Sequence, residues 1–134
     1  DTIVCMNVLE HIENDTTTLN DFSQVLTPGG RLILLVPSLK RLYGTLDQHL
    51  HHFRRYSREE LQAKVTGAGF EIDSLRFLNR PAVVGWRLNS RLLRRRVMPR
   101  GQLRLFKGIM PLLKLEENHP PSFGLSLLVI ARKP

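Results

Sequence analysis

An α/β fold with a mainly parallel sheet is predicted from three observations. Residues 2–9 (TIVCMNVL) and 31–36 (RLILLV) are short, nearly continuous apolar runs, the pattern of strands buried on both faces. Between them Leu19, Phe22, Val25 and Leu26 recur at helical spacing. A helix joining two such strands is a βαβ unit, which requires parallel strands and a right-handed crossover.

The elements follow in order. Asn14 or Asp15 caps the first helix, because a short side-chain oxygen satisfies the free N–H groups of a first turn. Thr27-Pro28-Gly29-Gly30 ends it, since proline cannot continue a helix and glycine accepts a left-handed exit. Pro37 closes the second strand. Residues 38–56 show no clean period and read as a long loop with a short helix near residues 46–52; structureless loops of this length in compact domains are usually functional or disordered. Ser57-Arg58-Glu59-Glu60 is a capping box opening a second helix, with Leu61, Val65 and Ala68 inward and Gly67 and Gly69 at its end. Residues 70–78 form a third strand. Residues 80–115 read as two basic amphipathic helices broken near Pro99-Arg100-Gly101. Pro120-Pro121 is a turn, and residues 124–132 (GLSLLVIAR) are the last strand. One domain is expected: residues 1–79 as sheet and helix core, 80–119 as a basic helical lid insertion, and 120–134 as the last strand.

Composition narrows the function classes. The chain has 134 residues, 42% of them apolar and 24% charged, as in ordinary globular domains. No apolar run is long enough to span a bilayer. Asp1 opens the chain with no basic, then apolar, leader, so a cytoplasmic location is expected; the absence of a starting Met points to a fragment. Cys5 is the single cysteine, which excludes internal disulfides and a four-cysteine zinc site, and its strand position makes it a small inert hydrophobe. The net charge of +8 is uneven: residues 80–114 hold ten Lys or Arg and no acidic residue, leaving −2 for the remainder. Such a segment can face an anionic membrane, an acidic substrate or nucleic acid.

Four stretches resemble one family. Asn7-Val8-Leu9-Glu10-His11-Ile12 resembles the "NVLEHI" element after the fourth strand of S-adenosylmethionine-dependent methyltransferases. Leu26-Thr27-Pro28-Gly29-Gly30-Arg31-Leu32 resembles their "LxPGGxL" element before the fifth. Tyr43-Gly44, Leu46-Asp47 and His52-Phe53-Arg54-Arg55-Tyr56-Ser57 resemble the "YGxLDxxxxHxRRYS" segment of a subgroup, and Phe123-Gly124-Leu125-Ser126 resembles its ending. The resemblance implies the C-terminal half of a doubly wound Rossmann-like methyltransferase sheet of order 3-2-1-4-5-7-6. The four strands would be strands 4, 5, 6 and 7, the last antiparallel, with a basic helical insertion. The glycine-rich turn after the family's first strand and the acidic residue ending its second are not in this sequence. S-adenosylmethionine is therefore the implied cofactor, its site is incomplete here, and this chain alone is expected to be inactive.

The resemblance also implies site residues. Asn7, Val8, Leu9, Glu10 and His11 would line the cofactor, with Leu9 against it. Methyl transfer is an in-line displacement that needs alignment and removal of a proton from the acceptor. His52 matches the family's loop histidine and is the candidate catalytic base, with Tyr43, Asp47, Arg54, Arg55 and Tyr56 on the substrate side. The competing reading makes Asp47, His52 and the arginines a structural network that fixes the loop. The family commonly has Gly before this histidine, whereas this chain has His51. Asp47, His49, His51 and His52 lack a second cluster to complete a tetrahedron, so no metal is expected. The acceptor is expected to be a small molecule or a lipid-linked group. The basic segment reads as a lid with snorkelling arginines, or as a peripheral membrane contact; nucleic acid is disfavoured, because only Trp86 and Phe106 could stack. An unpaired apolar strand edge at residues 2–9 invites a homodimer. The alternative is a non-catalytic methyltransferase-like module that binds a partner or an anionic membrane through its basic helices.

Overall fold

The computed structural model of the chain describes residues 1–97 and 119–134, together with residues 101, 108, 111, 114 and 116. Pro99 and Arg100, where the basic segment is predicted to break, and residues 102–107, 109 and 110 of the second predicted basic helix lie outside the described residues.

A mixed α/β domain forms around a four-stranded sheet. Strand β1 (Thr2–Met6) leads through a single 3-10 turn at Leu9–His11 to helix α1 (Asp15–Val25), then strand β2 (Arg31–Pro37). A 3-10 turn at Lys40–Leu42 and the short helix α2 (Thr45–His49) occupy the predicted loop. Helix α3 (Arg58–Gly67), strand β3 (Glu71–Leu78), helix α4 (Arg80–Trp86) with a π-helical continuation (Arg87–Leu92), and strand β4 (Ser126–Arg132) complete the order. The strands lie in the order β1-β2-β4-β3. β1 pairs parallel with β2, and β4 runs antiparallel to both β2 and β3. That order matches the one the resemblance assigns to strands 4, 5, 7 and 6.

The N-caps fall where the sequence predicts, but the expected capping box forms only in its Ser57 half. Asn14 is the N-cap of α1, its side chain accepting from the Thr17 N–H at 3.2 Å. Ser57 Oγ caps α3 by accepting from the Glu60 N–H at 3.2 Å. Glu60 turns outward to pair with Lys40 at 2.8 Å. Gly69 follows α3 at φ +89°, a conformation that strains any residue with a Cβ.

The sheet's two faces differ. Cys5, Leu32, Leu34, Val36, Leu127, Val129 and Ala131 point to one face and bury against Leu19 and Phe22 of α1 and Leu61 and Val65 of α3. The pairing register places Val4, Ile33 and Ile130 in one row of the opposite face, and Met6, Leu35 and Leu128 in the next. None of these six belongs to the core; Val4 is 59% exposed and Met6 52%. A sheet with apolar residues on both faces is built to be covered twice.

Asp15 ties the covering helices to the loop that leaves the sheet. Its buried carboxylate accepts from Lys64 Nζ at 2.6 and 2.7 Å and from the Tyr56 hydroxyl at 2.8 Å, and pairs with Arg54 at 2.9 Å. Tyr56 is fully buried, and its N–H donates to Pro37 at the end of β2. Truncating Asp15 to alanine takes the close acceptor from the buried Tyr56 hydroxyl, leaving it the Leu9 carbonyl at 3.5 Å, and removes the partner of Lys64 and Arg54. Asp15→Ala is expected to lower the unfolding free energy in urea by about 3 kcal/mol, against about 1 kcal/mol for Tyr56→Phe; equal losses would show that the carboxylate does not organise this cluster.

Candidate functional site

The carboxyl ends of β1 and β2 converge on the loop that carries α2, the place where open α/β sheets bind ligands. β1 ends at Met6, and Asn7 turns the chain at φ 52° with its N–H on the Leu35 carbonyl at 2.9 Å. The 3-10 turn that follows buries Leu9 and Glu10 and leaves Asn7, Val8 and His11 exposed. Leu9 is therefore a core residue. Asn7, Val8 and His11 are the side chains of this turn that remain open to a bound molecule.

Asp47 organises the loop above. It is fully buried on α2 and receives four donors. His52 Nδ1 lies 3.0 Å and Arg55 Nε 2.7 Å from its Oδ1, while the Gly44 N–H at 3.1 Å and Trp86 Nε1 at 3.3 Å point to its Oδ2. Burial pushes the carboxyl up, but the hydrogen bond from His52, the charge and hydrogen bond of Arg55 and the Gly44 N–H outweigh it and hold Asp47 below its ordinary value. Burial lowers Arg55, against the attraction of Asp47 and Glu10. Arg55 also donates to the Ser38 carbonyl at 2.9 Å and lies over the Trp86 ring, 4.6 Å from its centre. Gly44 has to be glycine, since a Cβ there would collide with Ser90.

His52 is held on several sides. Nδ1 faces Asp47, its N–H donates to the Asp47 carbonyl at 2.9 Å, and its carbonyl accepts the Tyr43 hydroxyl at 2.7 Å. A neutral ring that donates from Nδ1 to the carboxylate has its lone pair on Nε2. Nε2 lies 4.0 Å from Glu10 Oε1, and the ring meets His11 edge-on at 4.7 Å between centres. Glu10 is buried and its Oε2 has no hydrogen-bond partner. Burial pushes its carboxyl up, against the pull of its own backbone N–H, His52, His11 and Arg55.

The sequence-predicted residues thus separate into two groups. Glu10, His11, Tyr43, Asp47, His52 and Arg55 come together at one site. Arg54 and Tyr56 turn away to Asp15, where burial and then the Asp15 hydrogen bond and charge raise the Tyr56 hydroxyl. His49 and His51 stand exposed, apart from the cluster. The group that brings metal-ligating atoms together is Glu10, His11 and His52, whose ligand atoms lie within 4.8 Å of one another. Trp86 and Ser38 were not singled out for the site in the sequence. A lone tryptophan whose N–H needs a buried partner was the one available signal.

A model of the methyltransferase-domain family matches residues 1–75. The ubiquinone biosynthesis O-methyltransferase of Xanthomonas euvesicatoria pv. vesicatoria is 28% identical over 106 residues, covering 69% of this chain and 43% of that protein. The S-adenosylmethionine-dependent methyltransferase of Mesorhizobium loti superposes with a TM-score of 0.59 at 13% identity, over 99% of this chain and 61% of that one. An O-methyltransferase from a trans-AT PKS multienzyme of Brevibacillus brevis, in complex with S-adenosyl-L-homocysteine, superposes at 0.53 with 16% identity, over 99% and 43%. At these identities the superpositions show the fold. The chain spans about half the length of the relatives it matches.

The shifted carboxyls set an acid profile with opposed signs. Glu10 is raised in the folded state, so its ionisation destabilises the fold, and stability rises as pH falls through the folded value toward 4.5. Asp15 and Asp47 are lowered, so their contribution is present above 3.8 and is lost as pH falls through their folded values. Urea midpoints measured from neutral pH downward are expected to pass through a maximum. Glu10→Gln should remove the rise, and Asp47→Asn should blunt the fall; a monotonic decline in the parent chain would contradict the assignment for Glu10.

Proposed function

The chain belongs to the methyltransferase-domain family, and we propose that it works in methyl transfer from S-adenosylmethionine, with residues 1–134 supplying the strand 4 to 7 half of the domain. The observation that carries the reading is the Asp47–His52 pair at the carboxyl end of β1, whose Nε2 faces the turn of Asn7 to His11.

The cofactor supplies an activated methyl group on a sulfonium. The exposed side chains of Asn7, Val8 and His11 fit one flank of such a molecule, while Leu9 and Glu10 shape the turn from beneath. Asp47 fixes the tautomer and the angle of His52. Nε2 would then take the proton from an acceptor hydroxyl or amine, and the cofactor, when bound, would supply the methyl group. Tyr43 and Arg55 hold the loop rather than the acceptor, since their polar atoms are engaged with His52, Asp47 and Ser38. The acceptor approaches over His11 and the loop; a small molecule or a lipid-linked group fits this reading.

Two observations support the half-domain assignment. The chain spans about half of its relatives, and among the described residues the second sheet face, with Val4 and Met6 exposed, is without the cover an apolar face requires. An N-terminal half would pair with the free edge of β1 and cover that face. In the 134-residue chain by itself that edge and face would be free to pair two copies.

Isothermal titration of the 134-residue chain with S-adenosylhomocysteine is expected to show no binding, and a chain extended by an N-terminal half-domain should bind in the micromolar range. In that extended protein His52→Ala should leave binding intact and slow methyl transfer about 100-fold or more. Micromolar binding by the short chain overturns the half-domain reading, and an undiminished rate overturns the role of His52. Light scattering of the short chain should report a dimer that Val4→Lys with Met6→Glu disperses; a monomeric parent would show that the open face does not self-associate.

A further inference from the structure

We infer that α4 and its π-helical continuation form a docking surface for an anionic phospholipid bilayer, with headgroup phosphates in the groove between this helix and Arg41. The inference is independent of the methyl-transfer reading.

The helix presents two parallel rows. Val84, Leu88 and Leu92 follow one another at a spacing of four, as do Val83, Arg87 and Arg91, so an apolar stripe runs beside a cationic one. Val84 is 74% exposed and Leu92 76%, and Leu93 and Val97 extend the exposed apolar surface. Isolated exposed leucines need no explanation, but a continuous stripe flanked by arginines is the arrangement of helices that lie in a membrane interface.

The groove beside the helix has a volume of about 750 Å³. Leu42, Val83 and Leu88 line it, and Arg41, Arg87 and Arg91 stand around it. Arg41 is placed by the turn after β2, so the cations come from two separate segments. Among the described residues no carboxylate pairs with Arg41, Arg87, Arg91, Arg94, Arg95 or Arg96; the ion pairs of the molecule gather instead around Asp15, Asp47, Glu60 and Glu71. Arg91 gives one N–H to the Tyr43 carbonyl at 3.1 Å and keeps its remaining donors. Three guanidinium groups around an apolar groove match a phosphate attached to an apolar body.

Charge complementarity alone would also suit nucleic acid. The aromatic content decides against it. Trp86 is the one aromatic residue between residues 80 and 97, and its ring is covered by Arg55 while its N–H is given to Asp47. Among the described residues of this helix no aromatic platform remains for base stacking, whereas exposed valine and leucine gain from entering an acyl boundary and not from contact with a sugar–phosphate backbone.

Co-sedimentation with vesicles tests the surface. The chain should sediment with vesicles of phosphatidylcholine mixed with phosphatidylglycerol, less so as salt rises, and not with phosphatidylcholine alone. Arg87→Glu with Arg91→Glu should weaken binding at least about tenfold. Arg41→Glu, on a different segment, should weaken it too and serves if the helix variant misfolds. Val84→Ser with Leu92→Ser should also lose the vesicles while circular dichroism is unchanged. Equal binding to neutral vesicles, indifference to all three variants, full competition by inorganic phosphate, or tighter binding to single-stranded RNA with the same variant sensitivity would each overturn the proposal.

Discussion

One buried carboxylate holds the site together. Asp47 sits in a fully buried position on a helix of five residues, too short to be stable on its own. Four donors from four places in the sequence, Gly44, His52, Arg55 and Trp86, converge on its two oxygens. Burying an ionised carboxylate costs several kcal/mol unless it is paired and hydrogen-bonded, so any arrangement that loses one donor is penalised. The loop of residues 38–56 is thereby given a defined conformation without regular structure, and His52 receives a fixed ring orientation as part of it. The structural and catalytic readings of the Asp47 network are for this reason compatible: the bonds that fix the loop also orient Nε2.

The network has a second consequence through Trp86. By donating to Asp47 and stacking on Arg55, Trp86 fastens the end of α4 to the α2 loop. The π-helical continuation then runs beside Gly44, where absence of a Cβ lets Ser90 approach, and Thr45 Oγ donates to the Ser90 and Arg95 carbonyls at 3.1 and 2.7 Å. The basic helix and the candidate site are thereby parts of one packed unit. A molecule or surface that contacts Arg87 and Arg91 is one helix away from the loop that orients His52.

The sheet shows the complementary situation, in which a need is stated but not met within the described residues. Helices α1 and α3 cover the same face, with Leu19, Leu61 and Val65 fully buried on it. The rows of Val4, Ile33 and Ile130 and of Met6, Leu35 and Leu128 carry the same kind of side chain without the same cover. The continuous apolar character of β1 and β2 in the sequence is explained by this double demand: the strands are written for two covered faces.

Much of the architecture was legible from residue order. Apolar runs marked β1, β2 and β4, Asn14 and Ser57 marked the caps, and Gly69 marked an exit that other residues resist, because each rests on local physics that acts within a few positions. Glu10 and His11, and separately Asp47 and His52, were singled out through the resemblance of their motifs; that they meet was not legible. What the sequence could not decide was the direction of neighbouring side chains in the loop. Arg54, Arg55 and Tyr56 read as one group, yet Arg54 and Tyr56 turn to Asp15 while Arg55, between them, turns to Asp47. Alternate residues of a non-helical segment point to opposite sides, and which side faces which carboxylate depends on Tyr56 pairing with the end of β2. Trp86 was equally invisible, since its place against Asp47 depends on contacts 39 residues apart. The sequence alone determined the strands and the caps, and supplied the residue types that the loop brings together. Only the tertiary structure decided which carboxylate each cation met, because that choice is made by long-range packing and not by spacing along the chain.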